Sequence, residues 1–164
     1  MSITNVSKIN VDQKIKEVRN AIEHRATWMH LLLDEAEKAG VDWEKIGRNA
    51  VHRCGCFHGR TMFTPTDDLK EFADQFANDS DVKIFEMEVK ERSDDRFCVE
   101  FNYCPLVAAW LKQTTDEDKI ATLCDIAMDG DRGIVAQSPS FIFRLGDTIA
   151  KGGKVCYLEV LKKK

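Results

Sequence analysis

The sequence has few of the residues that interrupt regular structure, with three prolines and nine glycines among 164 residues. This scarcity, together with 43% apolar and 32% charged residues, excludes collagen-like and low-complexity chains and indicates one folded globular domain. No apolar run approaches the roughly 20 residues that a membrane-spanning helix requires. Residues 1–10 lack the basic start and apolar stretch of a secretory signal. We therefore predict a single domain over residues 1–164, located in the cytoplasm and without a membrane partner.

Basic residues are also too few, in the middle of the chain above all, to form a binding surface for a polyanion. The net charge is −4, and residues 65–137 carry 18 acidic but only 8 basic side chains. A nucleic-acid-binding protein requires a basic stripe that replaces the phosphate counterions. The charge distribution therefore excludes a nucleic-acid partner and is compatible with a small-molecule ligand.

Several common enzyme motifs are missing. The sequence contains no G-x-G-x-x-G, no G-x-x-x-x-G-K-[ST], no G-x-S-x-G and no H-E-x-x-H. Nucleotide-phosphate and ordinary serine-hydrolase chemistry are thereby disfavoured, which leaves cysteine, histidine and carboxylate side chains. Six cysteines without an export signal are typical of buried thiols, metal ligands or one reactive thiol, rather than of a disulfide framework.

Helical periodicity dominates residues 1–80. Apolar residues recur at steps of three, four and seven through residues 12–39, which predicts one long helix ended by Gly40. A second helix is expected to start behind Asp42 and to dissolve in the glycine-punctuated residues 52–60. Residues 64–67 carry the cap signal of a short third helix.

The hydrophobic period then changes from 3.6 to 2. Residues 85–89 and 97–103 predict one β-hairpin, and residues 141–145 and 155–161 predict a second. Between them, Pro105 and Thr115 mark the starts of two helices. We predict an α+β fold in which a helical N-terminal half packs on one roughly four-stranded antiparallel sheet, made of two hairpins separated by two helices in residues 81–164.

Cys104 is the thiol best placed for chemistry. Pro105 suits the first position of a helix, which would make Cys104 its N-cap. Unpaired N–H groups and the helix dipole stabilise a thiolate at that position and lower its pKa. The alternative is a buried N-cap thiol that only helps to pack Trp110.

A second concentration of chemical groups is His52, Cys54, Cys56 and His58. Their composition suggests a metal such as zinc, but on a strand the outer two would be roughly 20 Å apart, and on a helix residues two apart point to nearly opposite faces. One pair four residues apart could supply half a site. The alternative is a cysteine-rich turn packed under the sheet.

Three charged residues share a spacing near the end of the second of the two later helices. Asp125, Asp129 and Arg132 are separated by four and three positions, which places them on one helix face. They form either an exposed stabilising trio or a polar cluster that lines a pocket.

Three segments carry a family resemblance: Cys104-Pro-Leu-Val-Ala-Ala-Trp110, the block from Leu123 to Ile134 that reads Cys-Asp-Ile-Ala-Met-Asp-Gly-Asp-Arg-Gly, and the closing Gly-Gly-x-x-Cys156. Over residues 97–164 the sequence resembles the L-2-amino-thiazoline-4-carboxylic acid hydrolase family.

The resemblance implies hydrolysis of a cyclic amidine, in which water adds across the C=N bond of a thiazoline carboxylate and ring opening yields a carbamoyl-cysteine. This chemistry requires four roles. Candidates are Cys104 as nucleophile or neighbour of the attacking water, His58 as base, Arg132 for the substrate carboxylate, and Asp125 or Asp129 for the amidinium.

The closing strand, glycine loop and cysteine-bearing strand are more loosely similar to ligand-binding domains of the vinyl-reductase type. Such modules often dimerise, which makes a homodimer an expectation here. A non-catalytic binding or sensory module is therefore the alternative function. An enzyme should present a thiol or metal-bound water to a polar pocket, whereas a binding module should have an apolar pocket and fully buried cysteines.

Overall fold

The computed structural model describes residues 2–164 and contains six α-helices and four β-strands in the order α1 to α4, β1, β2, α5, α6, β3, β4. The helices are α1 (Gln13–Lys38), α2 (Trp43–Thr61), α3 (Leu69–Phe76), α4 (Asp79–Phe85), α5 (Pro105–Leu111) and α6 (Glu117–Val135). The strands are β1 (Met87–Arg92), β2 (Arg96–Phe101), β3 (Phe141–Leu145) and β4 (Cys156–Lys162). Within residues 2–164 no helix is long and apolar enough to cross a membrane.

All four strands form one antiparallel sheet with the order β1-β2-β4-β3. The inward side chains of the two central strands are buried opposite one another, as Phe97 with Val160 and Val99 with Leu158 show. The helices cover this face, which confirms the predicted α+β fold with a single sheet of two antiparallel strand pairs.

The prediction that the second helix dissolves after residue 52 was wrong. Helix α2 continues without interruption to Thr61 because its glycines permit a close approach to α6. A methyl group added at Gly55 would lie 2.0 Å from the carbonyl oxygen of Gly130, and one at Gly133 would lie 2.4 Å from the carbonyl oxygen of His52. Helix α6 likewise continues through its own glycines to Val135. The glycines therefore bring two helix backbones together rather than end them.

The first predicted strand was displaced. Residues 79–85 form α4, whose N-cap Asn78 accepts hydrogen bonds from two following backbone N–H groups, so that Phe85 ends a helix instead of starting a strand. Glu86 then adopts a left-handed conformation with φ of 51°. Its buried carboxylate is held by Arg19 at 3.1 Å and by the backbone N–H of Lys8 at 2.9 Å. This buried ion pair fixes the change of direction that moves the strand to Met87–Arg92.

Residues 2–12 run across the starts of β1, α5 and α6, and we call this segment the strap. Ile3 is buried in the core, and Ser2 donates a hydrogen bond to Glu117 at the start of α6. The amide of Asn5 pairs with both backbone groups of Cys104, at 2.8 and 2.9 Å. The strap therefore covers the start of α5.

Candidate active site

Cys104 occupies the predicted position immediately before helix α5, whose first residue is Pro105. Its sulfur interacts with the backbone N–H groups of Leu106 and Val107, which lower the pKa of the thiol. Burial has the larger effect and raises that pKa to about 11. The expectation of a lowered pKa was therefore wrong, because the side chain lies in the core and is only 6% exposed.

Two further thiols belong to the same buried region. Cys124 on α6 and Cys156 at the start of β4 each have a raised pKa, first because of burial and then because of the neighbouring Cys104. The pKa of Cys124 is about 12. The backbone N–H of Ile149 donates to the Cys156 sulfur at 3.3 Å, and this loop closes over the thiols with Thr148 and Ile149 fully buried. We call Cys104, Cys124 and Cys156 the thiol cluster; its members are neutral at pH 7.

Asp131 faces the thiol cluster from α6. It lies seven residues after Cys124 and therefore on the same helix face. The side chain is partly buried, and its carboxylate takes part in none of the hydrogen bonds or ion pairs that the structure of residues 2–164 contains. Burial raises the pKa of Asp131 to about 7, against the attraction of Arg132 and Arg25. A carboxyl group with such a pKa can accept and donate a proton at neutral pH.

Arg25 supplies a positive charge to the same region. Its guanidinium acts electrostatically on both Cys104 and Asp131 from the neighbouring helix α1. The side chain is exposed, and among the described residues it has no ion-pair partner. A free cation and a free carboxylate thus lie on the same side of the thiol cluster.

The three charged residues predicted as substrate ligands lie on another face of α6, where they form a closed ion network with Arg48 of α2. Arg132 donates to Asp125 at 2.7 Å and to Asp129 at 2.8 Å, while Arg48 donates to Asp125 at 2.7 Å and approaches Asp129 at 3.3 Å. Burial alone would raise the pKa of Asp125, but the bonds from the two arginines outweigh it and lower that pKa. The network joins α2 to α6.

The four residues of the predicted metal cluster lie along helix α2. The helix places His52 and Cys56 on one side and Cys54 and His58 on nearly the opposite side, since residues two apart are about 200° apart around the axis. Cys54 is exposed and Cys56 is partly buried. Within residues 2–164 no three His, Cys, Asp or Glu side chains are placed to hold a metal ion. The helix thus separates the four side chains that a loop would have brought together.

The predicted catalytic residues are therefore not all neighbours. Cys104 lies beneath the strap, Asp125 lies in the ion network, and His58 lies on α2 with its ring 5.9 Å from that of Phe57. The carboxylate beside Cys104 is Asp131, which our sequence reasoning missed. Its signal was present, because Asp131 lies on the same helix face as the apolar Ile120 and Cys124.

A second polar cluster lies on the outer face of the sheet. The Tyr157 hydroxyl lies 3.2 Å from the Cys98 sulfur and accepts a hydrogen bond from Arg96 at 2.8 Å. Arg96 also pairs with Glu159 at 2.9 Å. These contacts bury Cys98 to 2% exposure. Every charge in this cluster has a partner, which distinguishes it from the region around Asp131.

Comparison with known proteins supports a family assignment. No curated protein matches the chain. A solved structure similar to it is trafficking protein particle complex subunit 3 from Naegleria fowleri, covalently bound to palmitic acid, with 14% identity, 92% of this chain and 82% of that chain covered, and a TM-score of 0.43. A similarity of this size carries no functional argument. The sequence profile of the L-2-amino-thiazoline-4-carboxylic acid hydrolase family, in contrast, matches residues 19–160, which include Cys104, Asp131 and the predicted metal cluster on α2. The chain belongs to the L-2-amino-thiazoline-4-carboxylic acid hydrolase family.

Proposed function

We propose that this protein is a hydrolase that opens a cyclic amidine of the 2-amino-thiazoline-4-carboxylate kind. Family membership supports a hydrolase-type function. In the proposed reaction the oxygen of one water bonds to the amidine carbon, and its proton passes through a base to the ring. The bond between that carbon and the ring nitrogen then breaks, the nitrogen keeps the electron pair and takes the second proton of the water, and the carbon becomes the carbonyl of the carbamoyl group. The carbamoyl-cysteine product contains every atom of the substrate plus one water.

The observation that carries the proposal is the free carboxylate of Asp131 beside Cys104. The side chain is partly buried and, among residues 2–164, unpaired, and burial raises the pKa of Asp131 to about 7, which suits a group that takes a proton from water at neutral pH. In the adjacent ion network, by contrast, the partly buried Asp125 and Asp129 of α6 are both paired with arginines. We therefore assign Asp131 the role of general base in place of His58.

Cys104 and Arg25 complete the proposed site. Because the pKa of Cys104 is about 11, its thiol is neutral and lies beside the attacking water rather than attacking the ring itself. The guanidinium of Arg25 is free to bind the carboxylate of the substrate. The strap has to move before substrate can reach Cys104, since Asn5 now occupies both backbone groups of that residue.

The test is turnover of 2-amino-thiazoline-4-carboxylate by the wild type and by Asp131→Asn. Loss of a general base typically costs 10²–10⁴-fold in rate, and the wild-type kcat/KM should rise with pH to a plateau above about pH 7. Asp118→Asn, an exposed change on the same helix, is the matched control and should retain full activity. Full turnover by Asp131→Asn would remove this residue from the mechanism.

The burial of four cysteines favours a second candidate, a small-molecule-binding module. Cys98, Cys104, Cys124 and Cys156 are all buried, as expected for such a module. In that case the compound should raise the melting temperature of the protein without being consumed. The assay above therefore separates the two functions when product formation and melting temperature are measured on the same sample.

A further inference from the structure

Two neighbouring helices of the N-terminal half carry large exposed apolar side chains. On α1, Trp28 is 63% exposed, Leu31 51% and Leu32 65%. On α2, Ile46 is 46% exposed and Phe57 57%. We call these five residues the outer face. Exposed apolar surface of this extent on adjacent helices is typical of an interaction site.

Helix geometry places the exposed apolar side chains of each helix on one stripe. Leu31 and Leu32 follow Trp28 by three and four residues, on the side of α1 opposite the buried Ala26 and Leu33. Ile46 and Phe57 are eleven residues, or about three turns, apart on α2. They lie opposite the glycines that contact α6. Helices α1 and α2 contact each other, so the two stripes lie on neighbouring helices.

We infer that the outer face is the contact between two copies of this chain, with the two α1 helices antiparallel across a twofold axis. The charge pattern of α1 supports this occupant. The axis would cross the helix between Met29 and His30, which is the midpoint between His24 and Glu35. Both of these residues lie on the same helix face as Trp28. An antiparallel copy therefore places His24 of one protomer opposite the partner's Glu35, and Trp28 opposite the partner's Leu31.

The groups required for these pairs are available. His24 is exposed and contacts Trp28 edge to face at 5.9 Å. The Glu35 side chain is 73% exposed, and its cation Lys38 has a second partner in Asp34 at 2.7 Å. Glu35 can therefore accept a hydrogen bond from the partner's His24 while Lys38 keeps an ion pair.

The available area is sufficient for a stable dimer. A helix of 26 residues is about 39 Å long, and two adjacent helices present a surface about 20 Å wide. The product of this length and width is roughly 800 Å² for each protomer, which corresponds to the standard size of a specific interface.

Sedimentation velocity of the full chain tests this inference independently of hydrolytic activity. We expect a dimer for the wild type, and an increase of about 30-fold or more in its Kd for Trp28→Glu, as for loss of a central aromatic anchor. Ile142→Glu, an exposed apolar change on the sheet, is the control and should leave the Kd unchanged.

A charge exchange tests the antiparallel arrangement itself. His24→Glu places two carboxylates opposite each other and should weaken the dimer, and addition of Glu35→Lys to the same chain should restore it. Circular dichroism of each variant establishes that the fold is retained. A monomeric wild type at 100 µM, on the order of typical assay concentrations, would overturn the inference, as would a dimer insensitive to Trp28→Glu. A restored dimer in the double variant would support the twofold arrangement.

Discussion

Two faces of helix α6 differ in whether their charged side chains have ion-pair partners. The face toward α2 carries Asp125, Asp129 and Arg132, and each of these side chains has an ion-pair partner. The face toward α1 and α5 carries Cys124 and Asp131, and the Asp131 carboxylate is without a partner among residues 2–164. The same helix thus has a paired side and an unpaired side.

The difference indicates which face is structural. Paired charges close to glycine contacts hold two helices in register, and the pKa values of Asp125 and Arg132 shift in the direction that stabilises the folded state. An unpaired carboxylate whose pKa is raised destabilises the folded state at neutral pH, and natural proteins retain such groups mainly where they act on a ligand. We therefore expect changes on the two faces to have opposite effects on stability.

The largest expected effect is on the paired side. Gly55→Ala would place a methyl group 2.0 Å from the carbonyl oxygen of Gly130, so the two backbones have to separate. We expect the free energy of unfolding to fall by more than about 4 kcal/mol, as for other severe core clashes. Urea denaturation followed by circular dichroism measures this change.

Gly130→Ala is the matched control for that experiment. A methyl group at Gly130 meets nothing nearer than the Val51 side chain at 3.6 Å, an ordinary contact. Alanine is also the better helix former by about 1 kcal/mol. The control should therefore be as stable as the wild type or more stable, and equal losses in the two variants would contradict the close-approach argument.

A smaller loss of stability should follow from removal of Arg132, the central cation of the ion network. Arg132→Gln leaves Asp125 and Asp129 with fewer donors, which should cost about 1–3 kcal/mol for partly buried groups. Because the pKa of Asp125 is lowered in the folded protein, its contribution is present above the unfolded pKa and is lost as pH falls through the folded pKa. The difference from wild type should accordingly disappear in acid.

Arg144→Gln provides the comparison, since Arg144 is 62% exposed and reaches Glu159 at only 3.6 Å. An exposed pair of this kind contributes little. Chemical denaturation at pH 7 and at successively lower pH should therefore show a difference between the two arginine variants that shrinks as Asp125 becomes protonated.

The smallest expected change in the free energy of unfolding is an increase rather than a decrease. Asp131→Asn should stabilise the protein by about 1–2 kcal/mol above pH 7, after allowance for partial exposure of the side chain. The folded pKa of about 7 lies above the unfolded value, so the contribution of the protonated acid is present below the unfolded pKa and is lost as pH rises through about 7. The gain should be absent at pH 4. A melting-temperature difference that is independent of pH would show that Asp131 does not titrate in this range.

Much of this fold could be predicted because its signals are local. The strand at residues 141–145 was located correctly from alternation, and Pro105 marked the start of α5. The continuation of α2 could not be predicted, because glycine weakens an isolated helix and only the neighbouring α6 makes its small size useful. The site was harder still, because the pKa of Cys104 depends on burial in the tertiary structure, beside Cys124 and Cys156 from later elements.

The strap also sets an order of events during synthesis. Its contacts with Cys104 and Glu117 join residues 99 and 115 positions apart, so they are among the least local in the molecule. The strap is synthesised before α5 and α6, yet the groups to which it bonds are in place only after those helices have formed. We therefore expect its docking to be a late step of folding, and until that step the backbone N–H and carbonyl of Cys104 lack their partner Asn5.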